Sequence, residues 1–329
     1  MRGRRPAIGP RPLAVGRMVE QKPLGGRDVA PRGAGVPVSR VTLVGLHGQI
    51  LLVVLWVMGC VSLATGALAV RSTHALRLER IPLESLQRKA IAEAGLRQAL
   101  GILAQDTTER PLLDTLQESW ATGLGEDDTP LCERMPVGAG PFSLGQWDDA
   151  LFLPGLIDEE RKMNLNTAPP EQLQQLMELV ASGDADPALV AQAIADWRDE
   201  PEGSACQGAS PPCHHGPFDS VDELRLVPDL TPELFAALQP YVTVYGSGAV
   251  NVNTASEAVL SAMGCDAAAI LQQRQDEPFT EPPPGCGNAA VASTAFTVNV
   301  EAELSGASNV RHARAVVDRS GRVLSWSPR

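Results

Sequence analysis

The sequence has few aromatic residues, and it lacks the local motifs of several enzyme classes. Phe, Trp and Tyr together make up 4% of the 329 residues, whereas all hydrophobic residues make up 44%, which is ordinary for a folded protein. No nucleophile elbow, zinc-protease helix or phosphate-binding loop occurs. His214 and His215, which lie beside Cys213, match no closed four-ligand zinc pattern. We therefore predict that the protein is not an enzyme.

Residues 50–70 lack any charged side chain. At about 1.5 Å per helical residue, roughly 20 residues cross a bilayer core of about 30 Å. An α-helix also satisfies its own backbone hydrogen bonds inside the bilayer. The alternative is the buried core helix of a soluble protein. The absence of charged residues from the whole segment disfavours this alternative. We predict a transmembrane helix at residues 49–70.

Basic residues are scarce after this segment. Residues 1–48 contain nine Lys or Arg and two Asp or Glu, whereas the chain after the segment contains 18 Lys or Arg and 37 Asp or Glu. Lys and Arg are enriched on the cytoplasmic side of membrane helices, so we predict a cytoplasmic N-terminus and an exported acidic bulk. The acidic bulk argues against a nucleic-acid partner, whose phosphates require Lys and Arg.

Gly48 directly precedes the apolar run. This entry resembles the N-terminus of type IV prepilin-like proteins, in which a prepilin peptidase cuts on the cytoplasmic side after the glycine and the new N-terminus is methylated. The resemblance implies that residues 1–48 are a leader peptide and that Gln49 is the first mature residue. Val53 then takes the fifth place, where major pilins carry Glu.

Apolar residues recur at spacings of three and four through residues 71–105, which predicts a helix that packs on a sheet. Pro82 removes a backbone donor, so we expect a kink or interruption there. Phe296, Val298 and Val300 alternate with polar residues at period two, as in a half-buried strand. An antiparallel meander is predicted at the end of the chain, with strands at residues 295–303, 313–318 and 322–326.

The pentapeptide Asn-x-Asn-Thr-Ala occurs twice, at residues 164–168 and 251–255. We predict that its asparagines hold a turn through bonds from side chain to backbone, and that Thr167 and Thr254 are helix N-caps. A second helical stretch and then Asp-Glu-Pro follow in both copies. Each copy is therefore predicted to be a short strand, a cap and two helices.

The six cysteines fall into three groups. Cys60 lies in the apolar run. Two pairs bracket loops, Cys206 with Cys213 and Cys265 with Cys286, and an oxidising compartment would permit both disulfides. We predict these two pairs, although spacing alone does not fix the connectivity, and Cys132 is left over.

Several further motifs follow Gly48 in a fixed order. As an ordered set they resemble the general secretion pathway protein K family, the large minor pseudopilins of bacterial type II secretion. The motifs are Ala92-Glu-Ala-Gly-Leu, Asp158-Glu-Glu-Arg-Lys-Met-Asn-Leu-Asn-Thr-Ala, Asp196-Trp-Arg-Asp, Gly216-Pro-Phe-Asp-Ser-Val-Asp-Glu-Leu, Tyr241-Val-Thr-Val-Tyr-Gly and Val250-Asn-Val-Asn-Thr-Ala.

The resemblance implies an α+β fold, with a pilin-like N-terminal helix and antiparallel sheet and an inserted all-α domain of helix-hairpin-helix or SAM-like type. It implies a place at the tip of the pseudopilus, assembly with other minor pseudopilins, and anchoring in the bacterial inner membrane with the bulk in the periplasm. The expected parts are a leader (1–48), the transmembrane helix (49–70), a first pilin-like part (71–162), the helical domain (163–248) and a second pilin-like part with the meander (249–329).

The resemblance also implies calcium, which family members bind in the loop after Asp-Trp-x-Asp. In this sequence the matching carboxylates are Asp196, Asp199, Glu200 and Glu202, which are hard oxygen donors of the kind that calcium prefers. One alternative is a solvated acidic helix end. Another is that a disulfide between Cys206 and Cys213 replaces the metal in this short loop.

Two other interpretations remain. The first is a minor pilin of a type IV pilus. The second is a membrane-tethered helix-hairpin-helix protein that binds DNA through glycine amides. The hairpin positions 182–186 and 228–230 are acidic and poor in glycine, which disfavours DNA.

Overall fold

The structure is a computed structural model. It describes residues 46–148, 150–181, 183, 185–199, 215–306 and 310–328, with the side chains of 46–49 and 68–82 left out. Packing divides the chain into two units, Met1–Ala69 and Val70–Arg329.

The described helices and strands are as follows. The α-helices are α1 (Leu46–Glu109), α2 (Ser119–Thr122), α3 (Pro170–Val180), α4 (Pro187–Arg198), α5 (Pro232–Leu238), α6 (Glu257–Ala262) and α7 (Ala267–Asp276). The strands are β1 (Met135–Val137), β2 (Gly140–Asp148), β3 (Leu151–Pro154), β4 (Ile157–Asp158), β5 (Met163–Asn164), β6 (Val242–Thr243), β7 (Val250–Asn251), β8 (Ala289–Ala290), β9 (Ala295–Glu303), β10 (Val310–Asp318) and β11 (Val323–Pro328).

The apolar part of α1 belongs to the first unit. Residues Ile50–Ala67 have a mean hydropathy of 2.3 and none of them is buried, and this is the one segment in the described chain that is long and apolar enough to cross a membrane. Large apolar residues such as Trp56 and Leu63 are 75% and 77% exposed. Because a soluble protein would bury such side chains, this surface is suited to lipid or to other apolar helices.

The backbone of α1 remains helical through Pro82. The helix is therefore not interrupted there, and the predicted kink stays a prediction. One proline removes a single backbone donor, and the hydrogen bonds of the neighbouring turns carry the helix past it.

Seven strands of the described chain form one antiparallel sheet in the second unit. The order is β1-β2-β9-β10-β11, with β3 paired to β2 and β4 paired to β9. The predicted meander is confirmed as β9, β10 and β11, with small shifts at the strand ends. A mixed fold of helix and antiparallel sheet is thus present, as expected.

One face of this sheet packs on the end of α1. The shared core contains apolar side chains from both, among them Ile91, Ala92, Ala99, Ile102, Leu103, Phe142, Leu144, Phe296, Val298 and Val300. Gly95 marks the closest approach, because a Cβ added there would lie 2.6 Å from Val300 Cγ1. We call the sheet with residues 83–109 of α1 the sheet body.

The described residues between 163 and 291 form a second body, which we call the helical body. The buried side chains of α3–α7 share one hydrophobic core, together with two short parallel strand pairs, β5 with β6 and β7 with β8. Leu165 from the first repeat and Val252 from the second are both fully buried in this core. The expected domain boundary at 248/249 lies within the shared core, and the domain limits remain a prediction.

The first asparagine of each repeat folds back on its own turn. Asn164 Oδ1 accepts a hydrogen bond from the Asn166 N–H at 2.8 Å, and Asn251 Oδ1 accepts one from the Asn253 N–H at 3.0 Å. These are bonds from a side chain to the backbone two residues further on, which is how Asn stabilises a turn. The predicted role of the first asparagines is confirmed.

The second asparagine of each repeat binds a distant phenylalanine backbone. Asn166 accepts from the Phe218 N–H at 2.7 Å and donates to its carbonyl at 3.0 Å. Asn253 makes the same pair of bonds with Phe279, both at 2.9 Å. The two copies therefore use one hydrogen-bonding scheme to fix the loop that follows their second helix.

The predicted N-caps are wrong. The helices begin later, after Pro169 in the first repeat and after Ser256 in the second, and Ser256 accepts the capping bond. Thr167 and Thr254 lie in the turns before these helices, where their hydroxyls donate hydrogen bonds elsewhere. The spacing alone did not distinguish a residue at the start of a helix from one in the preceding turn.

Candidate functional site at the junction of sheet and helices

Three consecutive carboxylates connect the sheet body to the helical body. Asp158 ends β4, and Glu159 and Glu160 begin a 3₁₀ turn, Glu159–Arg161. Asp158 caps this turn by accepting from the Glu160 N–H at 2.7 Å. All three side chains are about 1% exposed. Since buried carboxylates are costly unless they are hydrogen-bonded, their partners define the junction.

Asp158 binds the second repeat. Its Oδ2 accepts hydrogen bonds from Thr254 Oγ1 at 2.6 Å, from Ser293 Oγ at 2.7 Å and from Asn251 Nδ2 at 3.3 Å. Burial raises the pKa of Asp158 to about 6, although the hydroxyl donors Thr254 and Ser293 act to lower it. The strand that leaves the sheet is thereby fastened to the turn of the second repeat.

Glu159 binds both bodies at once. It accepts from Thr243 Oγ1 in the helical body at 2.5 Å and from Thr297 Oγ1 in the sheet at 2.6 Å. Lys162 donates to it at 2.7 Å. Burial acts to raise the pKa of Glu159, but the charge and hydrogen bond of Lys162 outweigh it with the help of the two hydroxyls, so the pKa is lowered.

Glu160 completes the junction. Its Oε1 accepts from the Ser247 N–H and from Thr294 Oγ1, both at 2.6 Å, while its buried Oε2 has no hydrogen-bond partner in the described chain. Gly246 has a φ of +88°, and a Cβ there would lie 2.6 Å from Glu160 Oε1. Only glycine combines this backbone conformation with so close an approach.

A second buried acidic cluster lies beside the first. Asp106, Asp114 and Glu118 each place a carboxylate oxygen within 4.8 Å of the others, a spacing that suits a metal ion. Arg319 donates to Asp106 at 2.9 Å and also to Asp114. Burial raises the pKa of Asp114 to about 7, against the lowering effects of the Ser293 N–H and of Arg319. The guanidinium supplies the positive charge that a metal would otherwise bring.

The junction is suited to holding two bodies in one orientation. The carboxylates of Asp158 and Glu159 are occupied by donors from Thr, Ser, Asn and Lys side chains of the protein itself. Such saturated networks confer rigidity and orientation, whereas acid–base catalysis needs a group that reaches a substrate.

Two of the four predicted calcium ligands lie in the described chain. Asp196 is buried near the end of α4 and accepts from Gln192 Nε2 at 2.8 Å. Asp199 directly follows α4, is exposed and pairs with Arg198 at 3.1 Å. Glu200 and Glu202 lie outside the described residues. The carboxylate oxygens of the two described residues are suitable calcium donors.

The structure joins Cys265 and Cys286 in a disulfide with a Cα–Cα distance of 4.7 Å. Cys206 and Cys213 lie outside the described residues, so their pairing stays a prediction. Cys132 is free and buried in the sheet body, where burial raises the pKa of its thiol to about 12. That thiol is therefore unreactive at neutral pH.

Gly48 and Gln49, the predicted processing residues, lie in the first turns of α1. Of the hairpin positions considered for DNA binding, Asp186 caps α4 by accepting from the Ala188 N–H at 3.0 Å, and Asp229 adopts a positive φ of 61°. Both positions present carboxylates, which repel phosphate.

The sequence motifs did not identify the second acidic cluster. Asp114 and Arg319 are 205 residues apart, and no local pattern relates them. The run Asp158, Glu159 and Glu160 was visible as part of a family motif, and three acids directly after the apolar pair Leu156 and Ile157 were its available signal.

Fold and junction define a mixed α+β protein with one candidate membrane helix. Two models of a known family match it, both described as type II secretion system (T2SS), protein K, over residues 153–247 and 250–299. Residues 153–247 and 250–299 are thus similar to the type II secretion system protein K family. The matched residues contain the acidic turn and both repeats. No curated protein matches the chain.

Solved structures share the fold. A chain of the GspK-GspI-GspJ complex from the enterotoxigenic Escherichia coli type 2 secretion system matches with a TM-score of 0.59. The two sequences are 16% identical, and the match covers 76% of this chain and 98% of that chain.

Proposed function

We propose that the protein is a minor pseudopilin at the tip of the type II secretion pseudopilus. It sits in the bacterial inner membrane by a single helix, with its N-terminus in the cytoplasm and its acidic bulk in the periplasm. It helps to initiate pseudopilus assembly and so supports protein export across the outer membrane. One observation carries this proposal: the exposed, uncharged helix Ile50–Ala67 precedes the two regions of the protein K family.

Two features support a place at the tip. Val53 has no carboxylate at the position where shaft subunits carry a Glu that pairs with a neighbour's N-terminal amine, and its side chain is 62% exposed. A subunit that lacks this acid fits a position with no further subunit above it. The helical body, which we interpret as an inserted helix-hairpin-helix or SAM-like domain, adds bulk that the wall of a shaft would have to accommodate.

The proposed partners are other minor pseudopilins. The structural match is to a chain of the GspK-GspI-GspJ complex. By analogy, we propose that this chain assembles with two smaller pilin-like proteins through its exposed apolar helix. The prepilin peptidase is its processing partner.

N-terminal sequencing of the mature protein tests the processing step. In cells with an active prepilin peptidase, we expect the mature chain to begin at Gln49 and Gly48→Ala to retain the leader. Gly59→Ala is the matched control, because Gly59 lies in the same apolar helix and a Cβ there meets nothing within 4 Å. A wild-type chain that keeps its leader in such cells would contradict the proposal.

Complementation and co-purification test the assembly step. The full chain should restore secretion in a type II secretion strain that lacks its protein K, and it should co-purify with two smaller pilin-like proteins. Restoration of type IV pilus function instead would favour the minor-pilin alternative. A mobility shift with duplex DNA at low salt would favour the tethered DNA-binding alternative.

We also propose that Asp196 and Asp199, with Glu200 and Glu202, bind calcium. The two described residues offer carboxylate oxygens close together in sequence at the end of α4. Arg198 competes for Asp199, since the two make an ion pair at 3.1 Å. Calcium would have to displace this ion pair, which an exposed site permits at modest cost.

A further inference from the structure

Three adjoining cavities lie on the face of the sheet away from α1. Their volumes are about 430, 400 and 250 Å³.

 A separate cavity of about 740 Å³ lies within the helical body. Ala313 and Ala315 lie in the core shared with α1. Because side chains alternate between the two faces of a strand, Arg314, which lies between them, points away from α1. Arg314 lines all three cavities, which therefore form one elongated groove.

The largest of the three cavities is rich in positive charge. Arg161, Lys162 and Arg314 line it, and Lys162 and Arg314 share one carboxylate, that of Glu159, at 2.7 and 3.6 Å. Arg161 is half-buried, and its guanidinium makes no hydrogen bond or ion pair with any described residue. Three cations thus face one anion, in a chain whose net charge is −12.

The same cavity is lined by polar side chains that have no partner. Gln146, Gln239, Tyr241 and Asn299 make no side-chain hydrogen bond within the described part of the chain. Amides and the phenol can each donate a hydrogen bond to a carboxylate or to a peptide carbonyl. The lining therefore offers both charge and hydrogen-bond donors to an anionic ligand.

The groove continues past this cavity in both directions. In one direction it passes Trp147, whose ring is 57% exposed and whose Nε1 donates to Glu301 at 2.5 Å. In the other direction it passes Tyr245, Ser325 and Ser327, and also Asp222, whose carboxylate pairs with Arg225 at 3.6 Å. A small anion would occupy a single cavity, whereas an extended peptide would contact the whole row.

We propose that this groove binds an extended acidic segment of a partner protein, with its carboxylates on Arg161 and Arg314. The surplus of cations in the largest cavity selects acidic side chains there, and the unpaired amides receive the polar backbone of the segment. This inference does not depend on a tip position in the pseudopilus, since it concerns a surface of the sheet and helical bodies alone.

Fluorescence anisotropy with the full chain in a neutral detergent tests the proposal. The probe is a labelled peptide of alternating Ser and Glu, and the comparison peptide has Gln in place of Glu. We expect the Glu peptide to bind and to weaken as salt is added, because salt screens the charges. The Gln peptide should bind at least about ten-fold more weakly.

Matched charge variants locate the site. Arg161→Gln combined with Arg314→Gln should weaken binding of the Glu peptide at least about ten-fold. Arg134→Gln combined with Arg322→Gln removes the same charge from exposed positions outside the three cavities, and should leave binding nearly unchanged. Asn299→Asp is a second test. It adds a repelling charge to a side chain that has no hydrogen bond to lose, and it should also weaken binding.

Four outcomes would overturn the proposal. They are a wild-type chain that does not bind the Glu peptide, equal binding of the Gln peptide, equal loss in both pairs of arginine variants, and no effect of Asn299→Asp. Competition by citrate at the same molar concentration as the peptide would also overturn it, since the groove would then hold a small anion only.

Discussion

The Asp158 carboxylate accepts a hydrogen bond from Thr254 Oγ1 at 2.6 Å. This bond joins the last strand before the helical body to the turn of the second repeat. The equivalent threonine of the first repeat, Thr167, donates instead to the Gly248 carbonyl at 3.3 Å. The two copies of the Asn-x-Asn-Thr-Ala motif therefore contribute differently, because only the second copy lies against the acidic turn.

Thr254→Val should destabilise the protein by about 1–3 kcal/mol, because it leaves a buried carboxylate with one donor fewer. Thr167→Val is the matched control, and its longer bond predicts a loss below about 1 kcal/mol. Urea unfolding of the full chain in neutral detergent, followed by tryptophan fluorescence, measures both changes. Equal losses in the two variants would contradict the special role of the junction.

Stability should increase as the pH falls from about 8 to about 5. Burial raises the pKa of Asp114 to about 7 and that of Asp158 to about 6, both from an ordinary value of 3.8. The folded chain therefore binds protons in this range that the unfolded chain does not bind. Glu159, whose pKa is lowered from 4.5, acts in the opposite sense and loses its contribution at lower pH.

Thermal unfolding at a series of pH values measures this dependence. Asp114→Asn should flatten the change between pH 8 and 6, because its folded-state pKa of about 7 governs that interval. Glu109→Gln, at the exposed end of α1, is a control that should leave the profile unaltered. A stability that decreases steadily from pH 8 to 6 would contradict the prediction.

Gly95→Ala should destabilise the sheet body by about 1–3 kcal/mol. The new Cβ would lie 2.6 Å from Val300 Cγ1 and 3.2 Å from Phe142 Cδ2, so the helix or the strand must move. Gly101→Ala is the matched control in the same helix, since a Cβ there meets nothing within 4 Å. It should stabilise by about 0.5–1 kcal/mol, because glycine weakens a helix interior. A chemical unfolding curve for each variant shows whether the free energy of unfolding decreases for Gly95→Ala and increases for Gly101→Ala.

Calcium should raise the thermal midpoint of the full chain, since a ligand that binds only the folded state stabilises it. Asp199→Asn should remove most of this increase. Asp276→Asn is the matched control, because Asp276 also ends the second helix of its repeat and precedes Glu-Pro. Calorimetric scans with calcium and with magnesium give the measurement. An unchanged midpoint in calcium would contradict the proposal for this loop.

Periodic patterns in the sequence predicted the regular elements well. The alternation of Phe296, Val298 and Val300 identified β9 with its limits. The apolar spacing predicted the helix, but its first leucines, Leu83 and Leu86, are exposed, and the side chains that pack on the sheet lie within residues 91–103. The asparagines of the repeats were also predicted correctly as turn-forming residues. These features depend on residues that are close together in the sequence, and a local sequence pattern contains this information.

Helix starts and long-range pairs were not predicted. Thr167 and Thr254 were expected to cap helices that begin two or more residues later. The pairing of Asp114 with Arg319 joins distant parts of the chain. A local pattern cannot distinguish a hydroxyl that caps a helix from one that binds a carboxylate brought near by folding.

The sequence by itself determined the uncharged membrane-length helix, the acidic bulk, the repeat and the closing meander, because composition and periodicity follow directly from residue order. Only the tertiary structure decided which carboxylates are buried together and which cationic side chains of the described chain have no anionic partner. Those relationships depend on the packing of β4, β9 and the two repeats against one another, and residues far apart in the chain meet only once that packing has formed.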